Sequence, residues 1–298
     1  MFEKFEGYDR FDFPQGIVRV TAGYGGESFL ITGSEKTALY DCGMAYCGDR
    51  LVMNIEARLG GRDLDYILLS HTHYDHVGAL PYVRRRWPNA VVYAAEHGKR
   101  VLERPGALKV IGSLGATAAK EYTNGKMESV LTEGLAVHIS LKDGDELSLG
   151  DKRILALETK GHTDCSMTYI IQPGSIMITS ESTGVLERKG MLHTAILKSY
   201  DDAMASLKKC REYDPKIIIS PHFGVVPPFY NREYWRLFEQ TAREEKEYVD
   251  GLWKENLSME EMLEKYKERF WKEERRKAQP LEAFLINAKW TILAYEPK

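Results

Sequence analysis

The sequence predicts a layered α/β domain followed by a helical extension, and three observations lead there. Up to about residue 225, short β-rich runs punctuated by glycine alternate with helical stretches. Several of those runs are apolar throughout rather than alternating, as in strands covered on both faces. From about Asn231 onward glycine and strand-like runs nearly vanish, and aromatic residues recur at helical spacing.

The elements follow in order. Ile17-Val18-Arg19-Val20, Ser28-Phe29-Leu30-Ile31 and Thr37-Ala38-Leu39-Tyr40 read as successive strands, separated by the turn signals Gly23-Tyr24-Gly25-Gly26 and Gly33-Ser34-Glu35-Lys36. Tyr66-Ile67-Leu68-Leu69 and Ala90-Val91-Val92-Tyr93 are the doubly covered type, with a helix from Val77 to Trp87 between them, closed by Pro88. Later strands are expected at Leu135–Ser140, Arg153–Glu158, Met167–Ile171, Ile176–Thr179 and Lys216–Ile219, with a helix over Asp202–Tyr213 before the last. The segment Pro221–Pro228 reads as a join, which sets the expected division at residues 1–228 and 229–298. In the extension Asn231 is the expected N-cap of a helix whose face carries Tyr234, Phe238, Thr241, Tyr248 and Leu252. Ser258-Met259-Glu260-Glu261 is a capping box opening a second helix. Pro280 suits the first turn of a third, running through Phe284, Ala288, Ile292 and Tyr295.

Composition narrows the function classes. A net charge of −3 gives no basic imbalance of the kind phosphate binding leaves, so no nucleic acid is expected. Arg84-Arg85-Arg86 and the tract Lys265–Lys277 read as solvated helix faces. The start, Met1-Phe2-Glu3-Lys4-Phe5-Glu6, has no apolar h-region, and no stretch approaches the roughly 20 apolar residues of a membrane span. Cys42, Cys47, Cys165 and Cys210 lack a dense spacing pattern and read as reduced thiols. The expectation is a cytoplasmic protein with no membrane partner.

The chemistry is concentrated in His71-Thr72-His73-Tyr74-Asp75-His76, directly after the strand Tyr66–Leu69, at the carboxyl end where α/β folds place their sites. Three imidazoles and a carboxylate in six residues satisfy one another poorly except around metal, and a nitrogen-and-oxygen donor set suits zinc, with iron or manganese compatible. His97, His138 and His193 match no such pattern and read as ordinary surface or core residues.

This hexad resembles the signature of the metallo-β-lactamase superfamily, and further motifs follow in the family's order. Gly161-His162-Thr163 is similar to its third motif, Thr179-Ser180-Glu181 stands where the family usually has a metal-bridging aspartate, and Pro221-His222-Phe223-Gly224 is similar to its closing Pro-x-His. The resemblance covers about residues 15 to 228 and implies an αββα sandwich, here with a C-terminal helical extension. It also implies two divalent metal ions, the first held by His71, His73 and His162, the second by Asp75, His76 and His222, with Glu181 at the bridging position. Glutamate departs from the usual aspartate by one C–C bond, roughly 1.5 Å.

The implied mechanism is hydrolytic. Two cations acidify a water between them and stabilise the oxyanion, and Asp75 orients that water and assists as base. The stretch from His71 to Asn89 is similar to that of quinolone-signal-response-type members with acyl-thioesterase activity. That likeness points to a small acyl substrate, a thioester first and a lactone or other ester or phosphodiester second. It also implies a helical insertion over Val101–Tyr122 and a helical tail, whose aromatics (Tyr234, Trp235, Phe238, Tyr248, Trp253) serve as an apolar lid or else as helix packing and homodimer contacts. A β-lactamase is disfavoured by the lack of an export signal. A flavodiiron-type oxygen reductase is disfavoured by His73, where such proteins usually carry glutamate. A low-turnover regulatory protein that retains the metal site is the remaining alternative.

Overall fold

The computed structural model describes residues 13–127, 129–188, 190–272 and 281–297. Six strands form a first sheet in sequential order: β1 (Ile17–Arg19), β2 (Phe29–Thr32), β3 (Thr37–Tyr40), β4 (Tyr66–Leu68), β5 (Val91–Ala95) and β6 (Ile139–Leu141). The first three pair antiparallel, and β3 through β6 run parallel. The second sheet has the order β14-β13-β10-β9-β8-β7, built from β7 (Glu146–Ser148), β8 (Arg153–Glu158), β9 (Met167–Gln172), β10 (Ile176–Ile178), β13 (Ile217–Ser220) and β14 (Gly224–Val225). A separate hairpin pairs β11 (Val185–Arg188) with β12 (Met191–His193).

The strand period of two divides the apolar residues between layers. Phe29, Ile31, Ala38, Tyr40 and Leu68 meet Ile154, Ala156, Tyr169, Ile171 and Ile178 between the sheets. Their neighbours Leu30, Leu39, Ile67 and Val92 point the other way, under α1 (Gly48–Leu59) and α3 (Leu80–Arg86). On the outer face of the second sheet, Leu157, Ile170, Met177 and Ile218 lie under α6 (Tyr200–Glu212) and under α7 (Asn231–Lys254), α8 (Met259–Phe270) and α9 (Leu281–Ala294) of the extension. The layers are helix, sheet, sheet, helix, as expected. No helix among the described residues is long and apolar enough to cross a membrane.

Several boundaries differ from expectation for identifiable reasons. The helix expected over Val77–Trp87 is two pieces, α2 (Tyr74–Val77) and α3, because Pro81 in the first turn of α3 has no N–H to continue the ladder from Val77. The expected insertion likewise divides into α4 (Glu96–Leu102) and α5 (Pro105–Tyr122), the second opened by Pro105. Helix α1 was not anticipated, although Leu51, Ile55 and Leu59 mark its buried face. Asn231 does not cap α7: the helix begins at Asn231 itself after Tyr230, and the Asn231 amide donates to the Lys216 carbonyl at 2.8 Å. The capping box at Ser258 and Glu261 is formed, while Pro280 lies outside the described residues.

The tail aromatics take one of their two expected places. Tyr234, Trp235 and Phe238 are buried in the helix layer against the second sheet, and the Trp253 indole donates to the Ile292 carbonyl at 3.2 Å. These rings pack the extension onto the body, the helix-packing reading of the tail rather than the lid. Arg84 donates to the Gly134 carbonyl and lies 3.0 Å from His138 Nε2, and Arg85 and Arg86 pair with Asp49 and Glu56. Beyond Lys272 the basic tract lies outside the described residues. All four cysteines are free and buried; burial raises the Cys42 thiol well above its usual range and pushes Cys47 to about 11.

Candidate metal centre

Topology gathers the site. Strand β8 is antiparallel to β9, which is antiparallel to β10, and β10 is parallel to β13, so β8, β10 and β13 end on one edge. The turns after them carry His162, Glu181 and His222. The hexad follows β4 at the facing edge of the first sheet. Cross-sheet bonds make a floor beneath: the Met167 amide donates to the Ser70 carbonyl (2.7 Å), the Tyr169 hydroxyl to the Leu69 carbonyl (2.9 Å) and the Tyr40 hydroxyl to the Thr179 carbonyl (3.1 Å).

Within the hexad the chain is extended at His73 and then turns into α2, where the amides of His76 and Val77 donate to the His73 carbonyl. The turn carries Asp75 and His76 toward Glu181 and His222, with the His76 ring still 4.2 Å from that of His71. Two donor groups result. His71, His73 and His162 form one, Asp75, His76, Glu181 and His222 the other, and within each the ligand atoms lie within 4.8 Å of one another. Glu181 stands between them. Its Oε1 is 2.9 Å from His76 Nε2 and 3.1 Å from His222 Nε2, and its Oε2 is 3.7 Å from His162 Nε2. The extra methylene does not turn the carboxylate aside. His97, His138 and His193 are not part of either group; His138 accepts at Nδ1 from the Val92 amide.

The tautomers are set from behind. The Ser70 hydroxyl donates to Asp41 Oδ2 at 2.6 Å, so its lone pair receives His71 Nδ1–H at 2.9 Å. That leaves His71 Nε2 as a bare lone pair, buried and without a hydrogen-bond partner. His162 Nδ1–H donates to the Ala195 carbonyl at 2.6 Å, which turns its Nε2 toward His73 Nδ1 at 3.0 Å. His76 Nδ1–H donates to Asp41 Oδ2 at 2.8 Å. An orphaned nitrogen beside two others facing each other is what a cation would satisfy, so the donor set fits divalent metal.

Electrostatics separates the two groups. Burial and the neighbouring rings of His76, His73 and His162 hold His71 well below the imidazole range, and burial with His162 pushes His73 down to about 4. Burial opposes protonation of His76 as well, but the carboxylates of Asp75, Asp41 and Glu181 outweigh it and raise the ring well above its usual value. His222 is raised in the same way by Glu181. Against its own burial, Glu181 is held well below the carboxylate range by His162 and His222.

Sequence reasoning missed three supports: Asp41, Ser70 and the Ala195 carbonyl. Asp41 had a readable signal, a carboxylate closing an apolar strand at the same sheet edge as the hexad. A backbone carbonyl has none. Gly161, read in the sequence only as part of the His162 motif, is a further support, because a Cβ there (φ +131°) would lie 2.6 Å from Cα and Cβ of Ala203 in α6. Gly161→Ala is expected to destabilise the fold by about 2–3 kcal/mol, since helix backbone cannot give way. The shift of the denaturation midpoint at unchanged slope measures it.

Residues 22–222 match the family model for the metallo-beta-lactamase superfamily. The metallo-beta-lactamase fold-containing protein ST1585 of Sulfurisphaera tokodaii is 26% identical over 215 residues, 67% of this chain and 78% of that protein. The crystal structure of ST1585 superposes with a TM-score of 0.57 at 23% identity, over 78% of this chain and 86% of that one, a likeness of fold. A probable metallo-hydrolase of Burkholderia pseudomallei is 30% identical over 156 residues, 48% of this chain and 47% of that protein. The coenzyme F420H(2) oxidase of Methanothermobacter marburgensis is 29% identical over 161 residues, 53% of this chain and 34% of the oxidase. Against these last two the chain spans half of the relative's length or less.

Proposed function

The chain belongs to the metallo-β-lactamase superfamily, and from that premise we propose that it is a metal-dependent hydrolase of an activated acyl compound, a thioester before a lactone. The observation that carries this reading is the pair of adjoining donor groups with the Glu181 carboxylate between them. His71, His73 and His162 would hold one cation, and Asp75, His76 and His222 the other, with Glu181 shared. Two such cations, zinc by donor chemistry, would supply Lewis acidity to a water and to the substrate carbonyl.

The protein's own groups supply orientation and proton handling. Asp75 is the more open of the two site carboxylates, with 20% of its side chain exposed against 12% for Glu181. It is placed to orient an attacking water and to take its proton. His71, His76 and His162 are held from behind through Ser70, Asp41 and the Ala195 carbonyl and need not reorganise during reaction. The buried thiols of Cys42 and Cys47 are poor nucleophiles, which favours water as the attacking group.

A cleft of about 640 Å³ lies beside the centre rather than in it, walled by Tyr24, Tyr46 and Tyr122 together with Asp49, Arg50 and Lys126, with none of the donor residues in its lining. The rings of Tyr24 and Tyr46 stack on Tyr122 at 5.1 and 5.3 Å. Tyr24 leads into Gly25-Gly26, where the Gly26 amide donates to the Asp75 carbonyl at 3.1 Å. An aromatic wall next to the loop touching Asp75 would accept an acyl chain or aryl ring.

The test is metal analysis of purified protein together with turnover on thioesters, lactones and phosphodiesters. Two metal equivalents with thioester turnover that chelation abolishes is the expected result. Turnover confined to lactones or phosphodiesters would replace the substrate class. Bound metal with no turnover on any of them would remove the hydrolase reading.

A further inference from the structure

Glu245 is a buried acid that the hydrolytic machinery does not use. It lies on α7, 6% exposed, and three hydroxyl groups converge on its carboxylate. Tyr266 of α8 donates to Oε1 at 2.5 Å, and Tyr295, just past α9, donates to Oε2 at 2.8 Å. The third donor comes from the body: the Thr194 hydroxyl reaches Oε2 at 2.5 Å. A carboxylate meeting three O–H donors is a well-used node, and it ties the three described tail helices to one residue of the domain.

What Thr194 adjoins gives the node its meaning. The next residue is Ala195, buried and at φ +52°, a left-handed conformation that alanine adopts only when its surroundings impose it. Its carbonyl is the one that accepts His162 Nδ1–H. Downstream, the amides of Lys198 and Ser199 both donate to the Gly161 carbonyl, which closes the 194–199 loop over the His162 turn. Tyr200 then meets the Tyr295 ring edge-on at 5.6 Å. The loop that orients His162 is thus held at its start by the tail through Glu245 and near its end by the tail through Tyr295.

We propose that Glu245 is a positioning residue for His162, acting through Thr194 and the strained Ala195 carbonyl, so that the helical extension sets the metal affinity of the first donor group. The inference rests on the reading of His162 as a ligand. A hydrogen-bond acceptor behind a ligating histidine fixes ring and tautomer, and losing such a support costs about 10- to 100-fold in metal affinity. Here the acceptor is a backbone carbonyl, so its own support lies one bond network further out, in the tail.

The experiment uses the full chain and zinc as probe. Thr194→Val keeps the shape and removes the donor, Thr194→Ser restores it, and Glu245→Leu removes the acceptor without opening a cavity. Zinc affinity is read by competition with a chromophoric chelator, the His162 Nδ1–H resonance by ¹⁵N-edited NMR of metal-free protein, and the fold by circular dichroism. Thr194→Val is expected to weaken the first zinc about tenfold and to shift or broaden that resonance, while Thr194→Ser stays near wild type. Folded Thr194→Val with unchanged affinity and an unshifted resonance overturns the proposal; if that variant does not fold, the same result in Glu245→Leu overturns it. His162→Ala is the control: unchanged zinc binding there would defeat the ligand assignment itself, an outcome distinct from failure of the tail relay.

Discussion

Replacing His71 by alanine is expected to lower turnover about a thousandfold, roughly 4 kcal/mol of transition-state stabilisation, while leaving the metal-free fold intact. The reason lies in what the ring does without metal. Its Nδ1–H is bonded to Ser70, but its Nε2 is buried and without a protein partner, a cost to the folded chain that a bound cation relieves. Truncation removes that cost and opens a cavity, two effects of opposite sign, so the metal-free protein should melt near the wild-type temperature. The contrast appears with zinc. A cation present at about a thousand times its dissociation constant stabilises the native state by about 4 kcal/mol, on the order of 10 °C in melting temperature for a chain of this size. Wild-type protein should gain that shift and His71→Ala should lose most of it, together with about one equivalent of bound metal. A variant that keeps both its metal content and its zinc-induced shift would show that His71 is not a ligand.

The donor atoms were legible in the sequence because close spacing forces the issue: the hexad leaves six residues nowhere to send three imidazoles and a carboxylate. His162, Glu181 and His222 were legible only through the resemblance to the family's motifs. What the sequence hides is how those rings are aimed. The Ala195 carbonyl that sets His162 has no side-chain signature, and Glu245 reads as one more acid on a charged helix until Tyr266, Tyr295 and Thr194 close around it. The tail aromatics invited a functional reading by their size, yet large rings at helical spacing are first of all packing material, as Tyr234 and Phe238 are here. Element ends were missed where a single backbone group decided them. The missing N–H of Pro81 divides one expected helix, and the Lys216 carbonyl diverts Asn231 from its cap.

Asp41 shows how far a support residue controls a site it does not enter. It is fully buried, sits at φ +47°, and accepts from the Ser70 amide (2.7 Å), the Ser70 hydroxyl (2.6 Å) and His76 Nδ1–H (2.8 Å). Asp41→Ala would strand three buried donors and put alanine in a left-handed conformation. A loss of about 3–5 kcal/mol is expected, readable as a fall in the denaturation midpoint. Asp41→Asn separates folding from function more cleanly. The amide keeps the shape and an acceptor for the Ser70 amide, but His76 and the Ser70 hydroxyl share Oδ2. An NH₂ there makes His76 accept at Nδ1 and carry its proton on Nε2, and it turns the Ser70 hydroxyl to donate to His71 Nδ1, which moves that ring's proton to Nε2 as well. His76 Nε2 is the atom 2.9 Å from Glu181 in the second donor group, and a protonated Nε2 cannot ligate. Zinc titration of Asp41→Asn should therefore show both equivalents weakened about 10- to 100-fold, with turnover falling in proportion. Weakening of the second equivalent alone would mean that the tautomer of His71 is not set through the Ser70 hydroxyl. Wild-type binding of both would mean that the tautomer of His76 is set by something other than Asp41.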